Sequence, residues 1–244
     1  MSNGNAICQT LGTYITAALE QRYGVPEIKA PPDYGIAGTD AWMRELGQVL
    51  DAEQAVEKII DKAHKEIIPQ IEAYREKFKG KTAYIAAGSA HGHSLMAVMC
   101  ELGFNVLGAS LFHHDPKYDN NCPRSGKLAQ NVKDYGDIEN INICNKQSFE
   151  IINILNRLKP DVLIARHTGM AIGGVKLGIP SFLIDDEQLS FGYEGLLRYA
   201  KRIDDTLDNA EFIHHISAHC QNPYSKWWLE QKPNYFREGA CANA

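Results

Sequence analysis

The sequence predicts an α/β protein with a Rossmann-like, doubly wound parallel sheet and flanking N-terminal helices. Short apolar runs alternate with helix-like segments between residues 82 and 184. The runs are continuously apolar instead of alternating with polar residues, which indicates strands that are buried on both faces. Because strand–helix alternation closes by right-handed crossovers, successive strands are expected to lie parallel, with helices on both sides of the sheet.

Composition and charge narrow the class of protein. The chain has 244 residues, of which 44% are hydrophobic and 23% charged, so it is long enough for a large globular core. A net charge of −5 gives no general electrostatic basis for binding nucleic acid or an anionic membrane. No apolar run approaches the roughly 20 residues that span a bilayer. Without a signal-peptide pattern at the start, a cytoplasmic location is expected.

The first third of the chain, residues 1–79, is expected to be mainly helical. A helix at residues 8–23 places apolar side chains four positions apart. Thr39 is predicted to cap a second helix. A third helix is predicted to begin at Asp51 and to run to about Phe78, and Pro69 is expected to kink or divide it.

A parallel β/α core is predicted for residues 80–210 of what we take as one continuous region, 1–244. The predicted strands are residues 82–88, 105–112, 160–165 and 179–184. The predicted helices between and after them are residues 94–103, 148–159, 170–178 and 193–207. The remaining segment, residues 211–244, is expected to be an aromatic, irregular tail. It either packs on its own domain or faces a partner, since Trp and Tyr often anchor interfaces.

Cysteine spacing excludes some common sites. None of the six cysteines forms a CxxC pair, which argues against a zinc ribbon or a redox dithiol. A disulfide framework is not expected in a chain of this size without a secretion signal. Cys8 opens the first predicted helix, where it is either an ordinary buried thiol or a ligand.

Polar side chains follow all four predicted strands, where a parallel sheet places its ligand sites. In chain order, the residues that follow the strands are Gly88, Ser89, His91 and His93, then His113, His114 and Asp115, then Arg166 and His167, then Asp185, Asp186 and Glu187. Each group alone also fits a flexible turn, a solvated loop or a helix-start charge cluster. The first stretch, GSAHGHS, is not a dinucleotide-binding fingerprint. The sequence contains no nucleophile elbow, P-loop or HExxH motif.

Five segments, in order and with matching spacing, resemble the C-terminal part of nitrogenase component 1 alpha-type subunits. They are CQTLGTYITAALEQRYGVP, GKTAYIAAGSAHGHSLMAVMCELGFNVLG, LKPDVLIA, KLGIP and GYEGLLRYAKRIDDTLDN. The same superfamily includes a cofactor-assembly scaffold and the dark-operative protochlorophyllide reductase. The resemblance therefore implies the C-terminal, alpha-type portion of a nitrogenase-like oxidoreductase. It also implies a beta-type subunit and an ATP-dependent reductase, the iron protein, as partners.

The resemblance also implies roles for individual residues around an iron–sulfur or iron–molybdenum-type cluster. Cys8 matches the cysteine that holds an end iron of the cofactor, and a thiolate at a helix start suits that role. The implied proton donors are His91, His93, His113 and His167. The implied cofactor contacts are Gly88, Ser89, Arg166, Asp185 and Asp186.

The chain departs from the family pattern at several of these positions. Asp185 or Asp186 stands where the family has a second ligand, a histidine, and carboxylates suit soft clusters less well. His91 replaces an arginine of the glycine loop, and Arg166 and His167 lie near the place of a lysine. The half that carries the P-cluster cysteines has no counterpart, so we expect a fragment or truncated homologue that alone holds no cluster and is inactive. The alternatives are an assembly scaffold, a tetrapyrrole reductase component or an inactive remnant.

Overall fold

Five parallel strands form one sheet in a computed structural model that describes residues 9–26, 28, 34–112, 127–144, 148–184 and 190–231. The strands are β1 Thr82–Gly88, β2 Asn105–Phe112, β3 Asn140–Cys144, β4 Val162–Ala165 and β5 Ser181–Leu183. They lie in the order β3-β2-β1-β4-β5, with every neighbouring pair parallel. The predicted α/β class with a parallel sheet is therefore confirmed.

Helices surround this sheet in the described residues. They are α1 Gln9–Tyr23, α2 Gly35–Val49, α3 Glu53–Phe78, α4 Ser89–Glu101, α5 Lys127–Tyr135, α6 Ser148–Leu158, α7 Thr168–Lys176, α8 Gly192–Asp208, α9 Ala210–Ala218 and α10 Lys226–Glu230. None of the helices in these residues combines the length and apolar character that crossing a bilayer requires.

Both faces of the sheet are buried, and the central strand β1 shows how. Its Ala83 and Ile85 belong to one apolar cluster, which also contains residues of α3, α4 and α8. Tyr84 and Ala86, on the opposite face, belong to a second cluster with residues of α6 and α7. Because all four side chains are fully buried, the strand reads as a continuous apolar run, as the sequence indicated.

One prediction for the helices was wrong, and for a second, a kink or a division at Pro69, the division is excluded. Thr39 is not a helix cap: it lies inside α2 and its hydroxyl donates to the carbonyl of Gly35 at 2.5 Å. Pro69 does not divide the third helix, because α3 runs through it from residue 53 to residue 78. Ile67 and Ile71, on either side of this proline, are buried in the core. Their packing offsets the cost of about 3 kcal/mol that an interior proline imposes.

The described part of the predicted tail is helical and packs on its own domain. It contains α9 and α10, neither of which was predicted. Asn153 of α6 donates from Nδ2 to the carbonyls of Trp228 and Leu229, at 3.2 and 3.1 Å. Tyr224 and Leu229 also pack against the second apolar cluster. Strand β3 was likewise missed, because its sequence NINIC alternates in polarity and it pairs with β2 alone.

Candidate functional site

The order of the strands creates a crevice at the carboxyl ends of β1 and β4. Strands β2 and β3 lie on one side of β1, while β4 and β5 lie on the other. The chain thus leaves β1 and β4 in opposite directions across the sheet, and such switch points are where open α/β sheets bind ligands. Gly88 and His167 are the N-cap residues of α4 and α7. Two helix N-termini, each with a partial positive charge, therefore flank the crevice.

His91 lies on α4 at this edge and is held by an aromatic group from outside the sheet. The Tyr34 hydroxyl is 3.0 Å from His91 Nδ1, and the two rings meet edge to face with their centroids 6.0 Å apart. Tyr34 is only 4% exposed and packs against Phe191 and Tyr199, at 5.0 and 6.4 Å between centroids. The imidazole is therefore oriented by a buried hydroxyl that is able to exchange a proton with it.

Arg166 links the ends of β4 and β5. Its guanidinium donates to the carbonyl of Ile184 at 2.9 Å, and its amide donates to Ala86 at 3.0 Å. Burial raises the pKa of the nearby Tyr199 phenol, which outweighs the lowering by the Ser190 amide and the positive charge of Arg166. Tyr199 thus stays neutral at physiological pH and accepts a hydrogen bond from the Ser190 N–H at 3.0 Å. The edge of the sheet thus carries the Arg166 cation near the neutral Tyr199 phenol.

The other two described histidines of the predicted set lie in contrasting surroundings. His167 is exposed at the start of α7, with its ring 5.1 Å from that of Phe112. His93 is fully buried, and its backbone carbonyl accepts a hydrogen bond from Asn131 at 2.9 Å. The structure thus brings Gly88, His91 and the Arg166–His167 pair to one edge, while the His93 side chain belongs to the interior.

Five of the predicted site residues have no described side chain. Ser89 is the first residue of α4, and its side chain is not among the described groups. Four further predicted residues lie outside the described residues: Cys8, His113, Asp185 and Asp186.

Tyr34 and Tyr199 are site residues that the sequence analysis missed. Tyr34 lies in a breaker-rich stretch, PPDYG, which indicates a loop but not a partner 57 residues away. Tyr199 lies within an ordinary amphipathic helix. An aromatic residue directly before a helix start was the one local signal, and it does not identify His91 as the group that is contacted.

The described residues contain no group of three or more His, Cys, Asp or Glu side chains placed to hold a metal ion. The edge offers an imidazole, a guanidinium, phenols and helix N-termini instead. Groups of these kinds are suited to anionic ligands and to proton transfer, and they do not form a closed ligand shell.

Comparison with known proteins agrees with this architecture. Residues 5–208 match the profile of the family described as Nitrogenase component 1 type Oxidoreductase. The nitrogenase molybdenum-iron protein alpha chain of Methanothermobacter marburgensis is 27% identical over 198 residues, which cover 80% of this chain and 39% of the relative. The iron-molybdenum cofactor biosynthesis protein NifE of Methanococcus maripaludis is 23% identical, with the same two coverages.

A solved structure described as nitrogenase Cp1 at pH 6.5 has a similar fold, with a TM-score of 0.63 at 17% identity. The match covers 87% of this chain and 49% of that one. The chain thus spans less than half the length of these relatives. The family match over residues 5–208, together with the parallel sheet, shows that this chain belongs to the nitrogenase component 1 type oxidoreductase family.

Proposed function

We propose that this chain is the C-terminal, alpha-type portion of a nitrogenase-like component 1 oxidoreductase, whose cofactor or substrate cleft is the crevice between β1 and β4. The observation that carries this proposal is the convergence of His91, Arg166 and two helix N-termini at the switch point of the sheet. The chain spans 39% of the alpha-chain relative, and we propose that the activity requires an assembly. We propose a beta-type subunit and an ATP-dependent iron protein as its other members.

The described residues are suited to surround a metal cluster but not to bind its metal ions directly. Arg166 and the N-termini of α4 and α7 provide positive potential, which stabilises an anionic cluster. The thiolate ligand would be Cys8, and Asp185 or Asp186 would take the place of the second ligand. When bound, the cluster would supply electrons to the substrate, and the protein supplies orientation, protons and shelter from water.

His91 is the described residue best placed to handle protons. Its Nδ1 faces the buried Tyr34 hydroxyl at 3.0 Å, which fixes the ring and gives a second proton-carrying atom. Exposed His167, at the start of α7, provides a donor that exchanges with solvent. We retain His113 as a third donor and leave out His93, because its ring is fully buried. Gly88 and Ser89 would let the backbone approach the ligand closely.

An assembly scaffold is the second candidate function. A cofactor biosynthesis protein matches 80% of this chain, the same share as the alpha-chain relative. Acidic Asp185 and Asp186 also favour this function, since they replace the histidine ligand that the resemblance implies for an enzyme. A scaffold would hold a cluster or precursor at the same crevice and release it to an acceptor.

The first experiment tests whether Cys8 and the crevice form one site. We would measure the alkylation rate of Cys8 against pH in the folded chain, with Cys8→Ser as the blank. Rapid labelling well below pH 8 that slows in His91→Gln supports the shared site, because a nearby imidazolium lowers a thiol pKa. His215→Gln is the matched control, since His215 is an exposed residue of α9. Labelling only after unfolding, or equal slowing by both variants, refutes the ligand role.

A second experiment distinguishes enzyme from scaffold. The chain would be co-expressed anaerobically with a beta-type subunit, and iron content and the EPR spectrum would be measured. Substrate reduction upon addition of the iron protein supports the oxidoreductase. A cluster that moves to an apo-acceptor without substrate reduction supports the scaffold.

A further inference from the structure

A second cavity lies at the amino ends of the strands, opposite to the crevice. Its volume is about 460 Å³, within the range of small-molecule sites. Its walls come from the segments that enter β1, β4 and β5 and from helix α9. Its lining includes Lys81, Lys159, Asp161, Ile179 and Leu207.

The charges at this cavity favour an anion. Lys81 and Lys159 line it, and within the described part of the chain neither lysine forms an ion pair. The acid of the cavity, Asp161, is already engaged: its Oδ2 accepts from the amide and the hydroxyl of Thr82, both at 2.7 Å. Helix α9 also begins at the cavity, with Ala210 in its wall. Helices α7 and α8 end at the same cavity, with Leu177 and Leu207 in its wall, so the negative ends of these helices offset the positive end of α9 and the positive charge comes from the two lysines.

Lys159 has a strained backbone conformation. Its φ is +45°, in the left-handed region where glycine or asparagine usually ends a helix. The lysine is exposed and directly follows α6. A charged residue thus occupies a strained backbone position, in the wall of the cavity that Lys81 also lines. Strained positions of this kind are often found at ligand sites.

The floor of the cavity is apolar. Its accessible apolar side chains are the half-buried Leu177 and Leu207, with Ile179 and Pro180 almost completely buried beneath them. An inorganic anion alone would leave this floor uncovered. A ligand with an anionic group and a flat or aliphatic body covers both parts of the cavity.

We propose that this cavity binds a small organic phosphate, with Lys81 and Lys159 at the phosphate and the apolar floor under the body of the ligand. Lysines act as point charges that suit phosphate. The site is separate from the crevice between β1 and β4, and it does not depend on the function proposed there.

The test uses calorimetry and NMR titration of the whole chain with AMP, inorganic phosphate and adenosine. We expect saturable binding of AMP, with a Kd of about 1 mM or tighter, and weaker binding of both fragments. Absence of saturable AMP binding overturns the proposal. Equal affinities for AMP and inorganic phosphate overturn the role of the apolar floor.

Lys159→Gly is the decisive variant, because it relieves the strained backbone and removes the charge. It is expected to raise the unfolding midpoint while it weakens AMP binding by about fivefold, which separates loss of binding from loss of folding. Lys81→Ala should weaken binding similarly. Lys133→Ala is the matched control, since Lys133 is an exposed residue of α5 outside this cavity. Equal weakening by all three variants would show non-specific attraction and overturn the site.

Discussion

Glu101 connects α4 to the start of α2, and this junction yields a sharp prediction for Gly35. The Glu101 carboxylate is 8% exposed and accepts hydrogen bonds from the amides of Ile36 and Ala37, at 2.6 and 3.0 Å. It thus satisfies two of the amides that every helix N-terminus leaves unpaired. Burial raises the pKa of this carboxyl, and the two amide hydrogen bonds offset part of that rise.

The perturbation is Gly35→Ala, which affects the junction in two ways. Gly35 has a φ of +72°, and a left-handed backbone costs an alanine about 1–2 kcal/mol. A Cβ at Gly35 would also overlap the carboxylate oxygen Oε2 of Glu101. Displacing that oxygen leaves a buried amide without its charged acceptor, at a cost of about 1–3 kcal/mol. The free energy of unfolding should therefore fall by about 2–5 kcal/mol.

The assay is urea unfolding followed by circular dichroism, with Gly80→Ala as the matched control. Gly80 has a φ of +80°, and a Cβ there meets no described atom within 4 Å. The control therefore carries only the left-handed backbone cost of about 1–2 kcal/mol. If Gly35→Ala costs no more than Gly80→Ala, the reasoning about the carboxylate is wrong. A second check is Glu101→Ala, in which the Gly35→Ala cost should shrink toward that of the control.

Three further predictions concern other parts of the chain. Burial, and secondarily the charge of Glu101, raises the pKa of the Cys100 thiol from 9.0 to about 11. At pH 8 the fraction of Cys100 present as thiolate should therefore be about a hundredfold lower than for an ordinary thiol. Its alkylation rate should keep rising up to pH 11, and a plateau near pH 9 would contradict this. Thr82→Val removes the two hydrogen bonds of the Thr82 hydroxyl, which donates to Asp161 Oδ2 and accepts from the Asp161 amide, and should lower the free energy of unfolding by about 1–3 kcal/mol in the same urea assay; an unchanged midpoint would show that these two bonds contribute nothing. The purified chain alone should be colourless and lack stoichiometric iron, because tight sites need about four ligands; a reproducible cluster spectrum would reveal ligands that we have not assigned.

The sequence by itself was sufficient for the parallel sheet apart from β3, and for the polar residues at one edge of it. Strands β1 and β2 begin and end at the predicted residues. A short, continuously apolar run between turn-forming residues is typical of a buried strand, which is why the bounds were predictable. The placement of His91, Arg166 and His167 at one edge of the sheet followed from parallel pairing, since the carboxyl ends of parallel strands lie together. Segment order and spacing were also enough to identify the family.

The tertiary structure alone decided which groups contact these residues. Tyr34 reaches His91 across 57 positions, and Glu101 reaches the start of α2 across 65. Local patterns contain no information about such pairs, because they depend on how loops return the chain to the sheet. The burial of His93 and the undivided α3 are similar cases, in which packing outweighs what the residue type suggests. Sequence periodicity reports the face that each element buries, whereas only the packed structure determines which face of another element covers it.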